Sequence, residues 1–483
     1  MRSSGVKAFG NRPKESSSDT VEELSGESMS PSHLLRPPSL RSWSLAIDSM
    51  VLMEARRLNS TLALSISSHG GEGLSSADRM AARRLVMETT RRLNFIDRML
   101  NFLLAPSGLR NLKSKVRAFI RLYTFYVWFG EGDKEARAVV AARIGRRLLS
   151  WRELNPVEHI LGRIIVLNAE RLFERLGEFE VIALKTFHPT WFVRYCFSLL
   201  GKDEAMRFLE ASNSIHPVYL RMNLLKAKAE DIESMLEREG ITVAPFRGVD
   251  DVYEVVDSSF PLVTSKAYQE GLFFLQDPAS CLVVQTAKPQ PEWRVLDVCA
   301  APGGKTTHLA QLMEDRGQII SIDLSERRLE VLRREVLRVG STIVDPLLAD
   351  AIRPLPVRGE FDLVILDPPC SSTGTFWKTP SAKWRIDSRS FTRYGKLQGR
   401  MIDSCSESVR VGGFLVYSTC SISLEENEMV IEKFLENHPD FQLVPTESLI
   451  GRSGFKGQVN CQRLYPHINR TNGFFLAKMK RLS

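Results

Sequence analysis

Two cysteines each stand just past an apolar run. Asp367-Pro-Pro-Cys370 closes FDLVILDPPC, and Ser418-Thr-Cys420 closes GGFLVYSTC. Both runs read as buried strands, the fourth and fifth of an alternating series. In a doubly wound sheet of that kind these strands lie side by side, about 4.8 Å apart, so both thiols reach one pocket at the carboxyl edge. Paired thiols suit covalent catalysis, which replaces one hard step by two easier ones. Carbon 5 of cytosine is too weak a nucleophile to attack a methyl sulfonium, but thiolate addition at carbon 6 turns it into an enamine carbon. After methyl transfer, a base must remove the carbon-5 proton as the thiol is expelled. An acid near N3 stabilises the adduct, and Asp367 is placed for it. Transfer to an exocyclic amine would need no thiol.

A methyl donor must then sit beside the thiols. Asp297-Val-Cys-Ala-Ala-Pro-Gly-Gly-Lys-Thr306 joins the strand WRVLDVCA to the helix KTTHLAQLM. Glycine lets backbone approach a ligand closely, and a helix N-terminus attracts negative charge. Gly304-Lys305-Thr306 supplies the end of a phosphate-binding loop, but Cys299 stands where its first glycine belongs, and the dinucleotide pattern GxGxxG is absent. S-adenosylmethionine is the favoured ligand, because Asp323 ends the second strand roughly 20 residues after the turn, the spacing at which a carboxylate takes ribose hydroxyls. Asp350 ends the third strand and can face the adenine. A nucleoside triphosphate and a purely structural loop are the alternatives. An inert, buried thiol is the ordinary fate of cysteine. Cys196, Cys281, Cys405 and Cys461 are read that way and Cys299 as turn packing. Without CxxC or Cys/His ligand spacing, no metal site is expected.

The elements that must position these groups follow from composition and period. The 483 residues suggest several domains, with 43% hydrophobic and 25% charged residues, ordinary for a globular chain. Mean hydropathy is −0.13, and no run approaches the roughly 18 apolar residues of a membrane span. Residues 1–42, rich in Ser and Pro, read as a disordered leader without a secretory signal pattern. Residues 43–187 read as an all-helical domain, with helices opening at Ser75–Ser76, around Lys113–Phe129 and Lys134–Leu149, and from Pro156. Residues 188–259 read strand, helix, strand, a small α+β module. Residues 260–483 alternate strand and helix, giving an α/β, doubly wound, mostly parallel sheet. Seven scattered cysteines do not form a disulfide framework, so a reducing cytoplasm is expected.

Lys and Arg total 65 against 57 Asp and Glu, a net charge of +8, which permits a polyanionic partner. Arg79, Arg83, Arg84, Arg91, Arg92 and Arg98, with Arg143, Arg146 and Arg147, form either a phosphate-binding face or a solvated surface paired with Asp78, Glu88 and Asp97.

Taken together, DVCAAPGGKT, LDPPCSSTGT and YSTCSISLEENE, with GLFFLQDPASCLVV and PVYLRMN upstream, resemble the RNA cytosine-C5 methyltransferases of the Sun/Fmu (NOP2/Sun) family. The similarity runs from about His188 to the end. The helical domain is similar, more weakly, to the NusB-like domain of the RsmB-like subfamily. The resemblance implies a Rossmann-like class I methyltransferase fold. It implies donor contacts from Cys299, Ala300, Ala301, Pro302, Gly303, Gly304 and Lys305, and from Asp323, Asp350 and Asp367. It makes Cys420 the nucleophile and Cys370 the thiol that assists adduct breakdown. Pro369 departs from a common Ala or Val and Ser372 from a frequent Gly or Ala. RNA is the implied partner, ribosomal before transfer RNA, and a non-catalytic assembly factor is the reading from another class. No membrane partner is expected, and a monomer is the working expectation for the oligomeric state.

Overall fold

The computed structural model describes residues 38–69, 73–357, 359–446 and 450–483. Most of the expected leader lies outside the described residues. Its end is helical, because Ser39 caps the helix Leu40–Arg56 by accepting from the Ser42 N–H. The helical region continues through Ser60–His69, Ser76–Arg91, Leu93–Leu103, Ser114–Phe129, Lys134–Leu148, Trp151–Val166 and Glu178–Lys185. These pack on one core that includes Trp43, Ile96, Phe119, Tyr123 and Ile160. Ser75 opens its helix with a capping box completed by Asp78, a reciprocal pair that satisfies two orphan N–H groups. Pro156 does not start a helix as its type suggests. Ser150 and Glu153 form a capping box that starts it earlier and leaves Pro156 inside, at the loss of one backbone bond.

Two further helices, Thr190–Leu200 and Lys202–Ala211, precede the first strand. Their core residues Phe192, Val193 and Phe208 pack with Phe376, Phe391, Ile422 and Tyr465 of the C-terminal region. Then comes a four-stranded antiparallel sheet, in order β2-β3-β1-β4, made of β1 (Val218–Met222), β2 (Ile241–Pro245), β3 (Val252–Ser258) and β4 (Phe273–Leu275). The fourth strand comes from beyond Ser259. Arg221 of β1, 2% exposed, fastens this sheet to the next layer through Gln276, Gln311 and Thr307.

The large sheet contains five parallel strands, β5 (Arg294–Val298), β6 (Gln318–Asp323), β7 (Val344–Leu348), β8 (Phe361–Leu366) and β9 (Val409–Thr419). Their spatial order is β7-β6-β5-β8-β9. The C-terminal segment adds β10 (Phe441–Val444), β11 (Arg452–Ser453), β12 (Gln462–Leu464) and β13 (Phe474–Arg481), with β13 antiparallel to β9. The order reverses beside β5, so the carboxyl ends of β5, β6 and β8 open onto one crevice, the usual ligand site of such sheets. Among the described residues no helix is long and apolar enough to cross a membrane.

Candidate active site

The turn after β5 is shaped by backbone conformation. Cys299 has φ +64° and Gly303 φ +108°, a region that suits glycine and strains other residues. The Ala300 N–H donates to Ile322 O at 2.9 Å and the Gly303 N–H to Ala300 O at 2.9 Å, so the turn folds over the end of β6. Ala300 and Ala301 are buried against Leu332 and Val336, while Pro302 is exposed. Cys299 packs against the core beneath the sheet, and burial, then the Asp323 charge, push its thiol up. It is a packing residue, as its type suggested.

Carboxylates gather around the turn. Asp323, 3% exposed, accepts from the Ser325 N–H at 3.0 Å and the Ala301 N–H at 3.3 Å, with Arg328 at 3.1 Å. Asp350 accepts from the Ile352 N–H at 3.1 Å. Asp297 accepts from Thr306 Oγ1 at 2.6 Å on one oxygen, and its other oxygen has no partner. Burial pushes Asp297 up to about 7, with the Asp367 and Asp323 charges adding to the rise. Lys305 Nζ sits 2.5 Å from Asp367 Oδ2. Burial opposes the Lys305 charge, but Asp367 outweighs it and holds the ammonium above its ordinary value.

This donor set decides between the ligands the turn left open. Lys305 is committed to Asp367, and three carboxylates surround the turn, so a triphosphate would meet like charge. The same residues fit S-adenosylmethionine: acceptors at the ends of β6 and β7 suit ribose hydroxyls and an adenine amine, and carboxylates suit a sulfonium cation.

The thiols meet as the strand order requires. Cys370 Sγ and Cys420 Sγ are 3.1 Å apart. The contact with the Cys370 thiol, with a further hydrogen bond from the Ser372 hydroxyl, lowers the Cys420 pKa despite burial. Cys370 is held well above the ordinary thiol value by the same contact and by burial. The pair is therefore asymmetric: the shared contact favours the charged form at Cys420 and disfavours it at Cys370. Asp367 Oδ1 accepts from Ser418 Oγ at 3.3 Å, which ties the donor half to the end of β9.

A buried carboxylate that sequence reasoning passed over holds the thiols in register. Glu426 is fully buried. It accepts from the Ser371 N–H at 2.8 Å, Ser371 Oγ at 2.5 Å, Ser421 Oγ at 2.7 Å, Ser423 Oγ at 2.9 Å and Gln398 Nε2 at 3.2 Å. Ser371 and Ser421 directly follow the two cysteines, so one carboxylate clamps both loops. Left unpaired, a buried carboxylate would cost several kcal/mol, and these donors offset that. The signal available in sequence was the serine-rich CSIS followed by Leu424-Glu425-Glu426, a pattern with no reading of its own. The Gly374 N–H adds a cross-loop bond to Cys420 O at 2.9 Å.

The helical region braces the same loop. Arg91 donates to Trp377 O at 2.7 Å, Trp384 Nε1 to Thr90 O at 2.6 Å, and Lys383 Nζ to Asn213 Oδ1 at 2.5 Å. Most arginines of the expected phosphate face are thus occupied inside the molecule. Arg91 and Arg92 pair with Glu88, Arg84 with Glu131 and Arg146 with Glu158, while Arg98 donates to Leu172 O at 3.2 Å. Asp97 pairs with Arg121 instead, and Asp78 serves as a cap.

Comparison with known proteins adds to this geometry. A family model described as 16S rRNA methyltransferase RsmB/F matches residues 284–480, and one for the RsmF/B-like ferredoxin-like domain matches residues 188–253. The 28S rRNA (cytosine(4447)-C(5))-methyltransferase of Homo sapiens is 34% identical over 375 residues, 73% of this chain and 45% of that protein. This chain thus spans about half the length of the first curated relatives it matches. The ribosomal RNA small subunit methyltransferase B of Citrobacter koseri is 32% identical over 309 residues, 63% of this chain and 69% of that protein. The crystal structure of PH0851 superposes with a TM-score of 0.77 at 29% identity, covering 92% of this chain and 100% of that one. That coverage takes in much of the helical region as well as the sheets.

Proposed function

Since this chain belongs to the RsmB/F methyltransferase family, we propose that it is an S-adenosylmethionine-dependent methyltransferase of cytosine carbon 5 in ribosomal RNA. The observation that carries the reading is the asymmetric thiol pair, 3.1 Å apart, beside a carboxylate-lined turn. Two of the relatives described above act, by name, on ribosomal RNA.

S-adenosylmethionine supplies an electrophilic methyl group when bound. The turn from Cys299 to Lys305 would hold it through backbone, with Asp323, Asp350 and Asp367 as acceptors. Cys420 Sγ adds to carbon 6 of the cytosine. The Lys305–Asp367 pair hydrogen-bonds at N3, where the charge of the adduct collects. Lys305 Nζ, 2.5 Å from Asp367 Oδ2, would share with it the acid role expected of Asp367. Carbon 5, now an enamine carbon, takes the methyl group. In the last step a base removes the carbon-5 proton, the carbon–sulfur bond breaks and Cys420 leaves as thiolate; the Cys370 thiol assists this breakdown by donating a hydrogen bond to the departing sulfur. A base within a duplex would first have to leave the stack.

Bisulfite sequencing of total RNA from cells with and without the gene tests reaction and substrate together. One ribosomal cytosine should lose its methyl group. A loss confined to transfer RNA moves the substrate, and no lost site supports an assembly factor instead. Cys370→Ala should trap a protein–RNA adduct on a denaturing gel; its absence would remove Cys370 from the breakdown step.

A further inference from the structure

The helix Ser388–Ser406 has two opposite faces. One is bound into the thiol half of the site: Gln398 donates to Pro369 O at 3.0 Å and to Glu426 at 3.2 Å. On the other face Arg389, Arg393, Lys396 and Arg400 are all exposed and fall at three- and four-residue steps, so they form one stripe. With Thr392 and Leu397 they line a shallow groove of about 530 Å³. Among the described residues none of the four cations is in an ion pair within 4 Å; Arg393 donates only to Ser390 Oγ, at 3.1 Å. The acidic neighbour is Asp387, whose carboxylate accepts from Ser390 Oγ at 2.8 Å. Tyr394, half-buried between the faces, has its phenol pushed up by burial, then by the Cys370 and Glu426 charges, with Arg393 and Arg385 opposing.

Four like charges held along ~16 Å of helix repel one another and favour a polyanion. A stacked single strand offers a charge about every 3.4 Å, so the stripe matches four or five phosphates. The groove has one apolar lining residue and no aromatic one, which does not suit a protein partner.

We propose that the Arg389–Arg393–Lys396–Arg400 stripe is a phosphate track that carries the single-stranded RNA flanking the target cytosine past the thiol pocket, a role that rests on the site acting on RNA. The stripe reads no base and sets affinity and position, because phosphate contacts carry no sequence information.

The test uses the full chain, with all four residues changed to Gln, and a fluorescein-labelled 12-nucleotide single-stranded RNA read by fluorescence anisotropy. The expected result is a Kd at least tenfold weaker, and a slope of log K against log salt smaller by about 3. Lys396→Gln with Arg400→Gln alone should reduce the slope by about 1.4. Changing Arg79, Arg83, Arg143 and Arg147 to Gln should alter Kd less than threefold. In methyl transfer the stripe variant should raise the KM for RNA and leave kcat unchanged. Unchanged affinity and slope would overturn the track, even if methyl transfer proceeds. Stripe-dependent binding by a chain that methylates no RNA would keep the track and sink the proposed reaction.

Discussion

The two halves of the crevice are built by different means. The donor half, at the ends of β5, β6 and β7, is made by backbone: two residues with positive φ, short N–H bonds across strand ends, and carboxylates that cap local turns. The thiol half, at the ends of β8 and β9, is made by side chains. Its geometry depends on Glu426 accepting five hydrogen bonds and on a loop docked against the helical region. A backbone-built site tolerates many side-chain changes, because main-chain groups are present in every residue. A side-chain cluster around one buried charge is vulnerable at that charge, because its loss leaves every donor unpaired.

Perturbations should therefore separate the halves. Cys420→Ala should lower turnover at least about 10³-fold with donor affinity unchanged by calorimetry; substantial residual turnover would show that the chemistry does not pass through this thiol. Glu426→Ala should lower kcat about 10²-fold by loosening both loops, and lower Tm by several degrees, again with donor affinity intact. A kcat near wild type would mean that the cross-loop bonds suffice without it. Asp323→Ala should weaken donor binding about tenfold or more while leaving the rate of Cys420 alkylation by iodoacetamide unchanged; a change in alkylation would show the halves to be coupled.

Smaller effects concern titration. Cys420 is held below its ordinary pKa by the Cys370 and Ser372 contacts, so activity should fall as pH drops through the Cys420 pKa. Ser372→Ala should move that acid limb of kcat/KM upward. A stationary limb would remove Ser372 from the tuning. Asp297 is pushed up to about 7 in the folded chain. A raised carboxyl favours folding below its ordinary value, and that contribution disappears as pH rises through 7. Asp297→Asn should therefore lose less Tm than the parent between pH 5 and pH 8, and equal losses would place the titration elsewhere.

The helical region against the stripe on Ser388–Ser406 gives the same contrast in charge. Counting arginines pointed to the first. Partner geometry shows that five of the nine arginines of its expected phosphate face, Arg84, Arg91, Arg92, Arg98 and Arg146, already have partners within the chain, whereas no cation of the stripe is in an ion pair within 4 Å among the described residues. Charge number is visible in a sequence; whether a charge already has a partner is not.

Local sequence determined the order of strands and helices, the turn at Asp297–Thr306 and the two thiols at strand ends. Each of these depends on the period of apolar residues and on chain chemistry over a few positions. The helix ends were less legible at Pro156, where a capping box formed upstream outweighed proline's own preference. Tertiary structure alone decided the rest. It set which thiol is the more acidic, because that depends on hydroxyl and thiol groups of the facing loop. It committed Lys305 to Asp367, 62 residues away in sequence. It made Glu426 the clamp between loops about 50 residues apart. Hydrogen bonds at such separations form only when the sheet brings its strand ends together, so no short run of residues contains them.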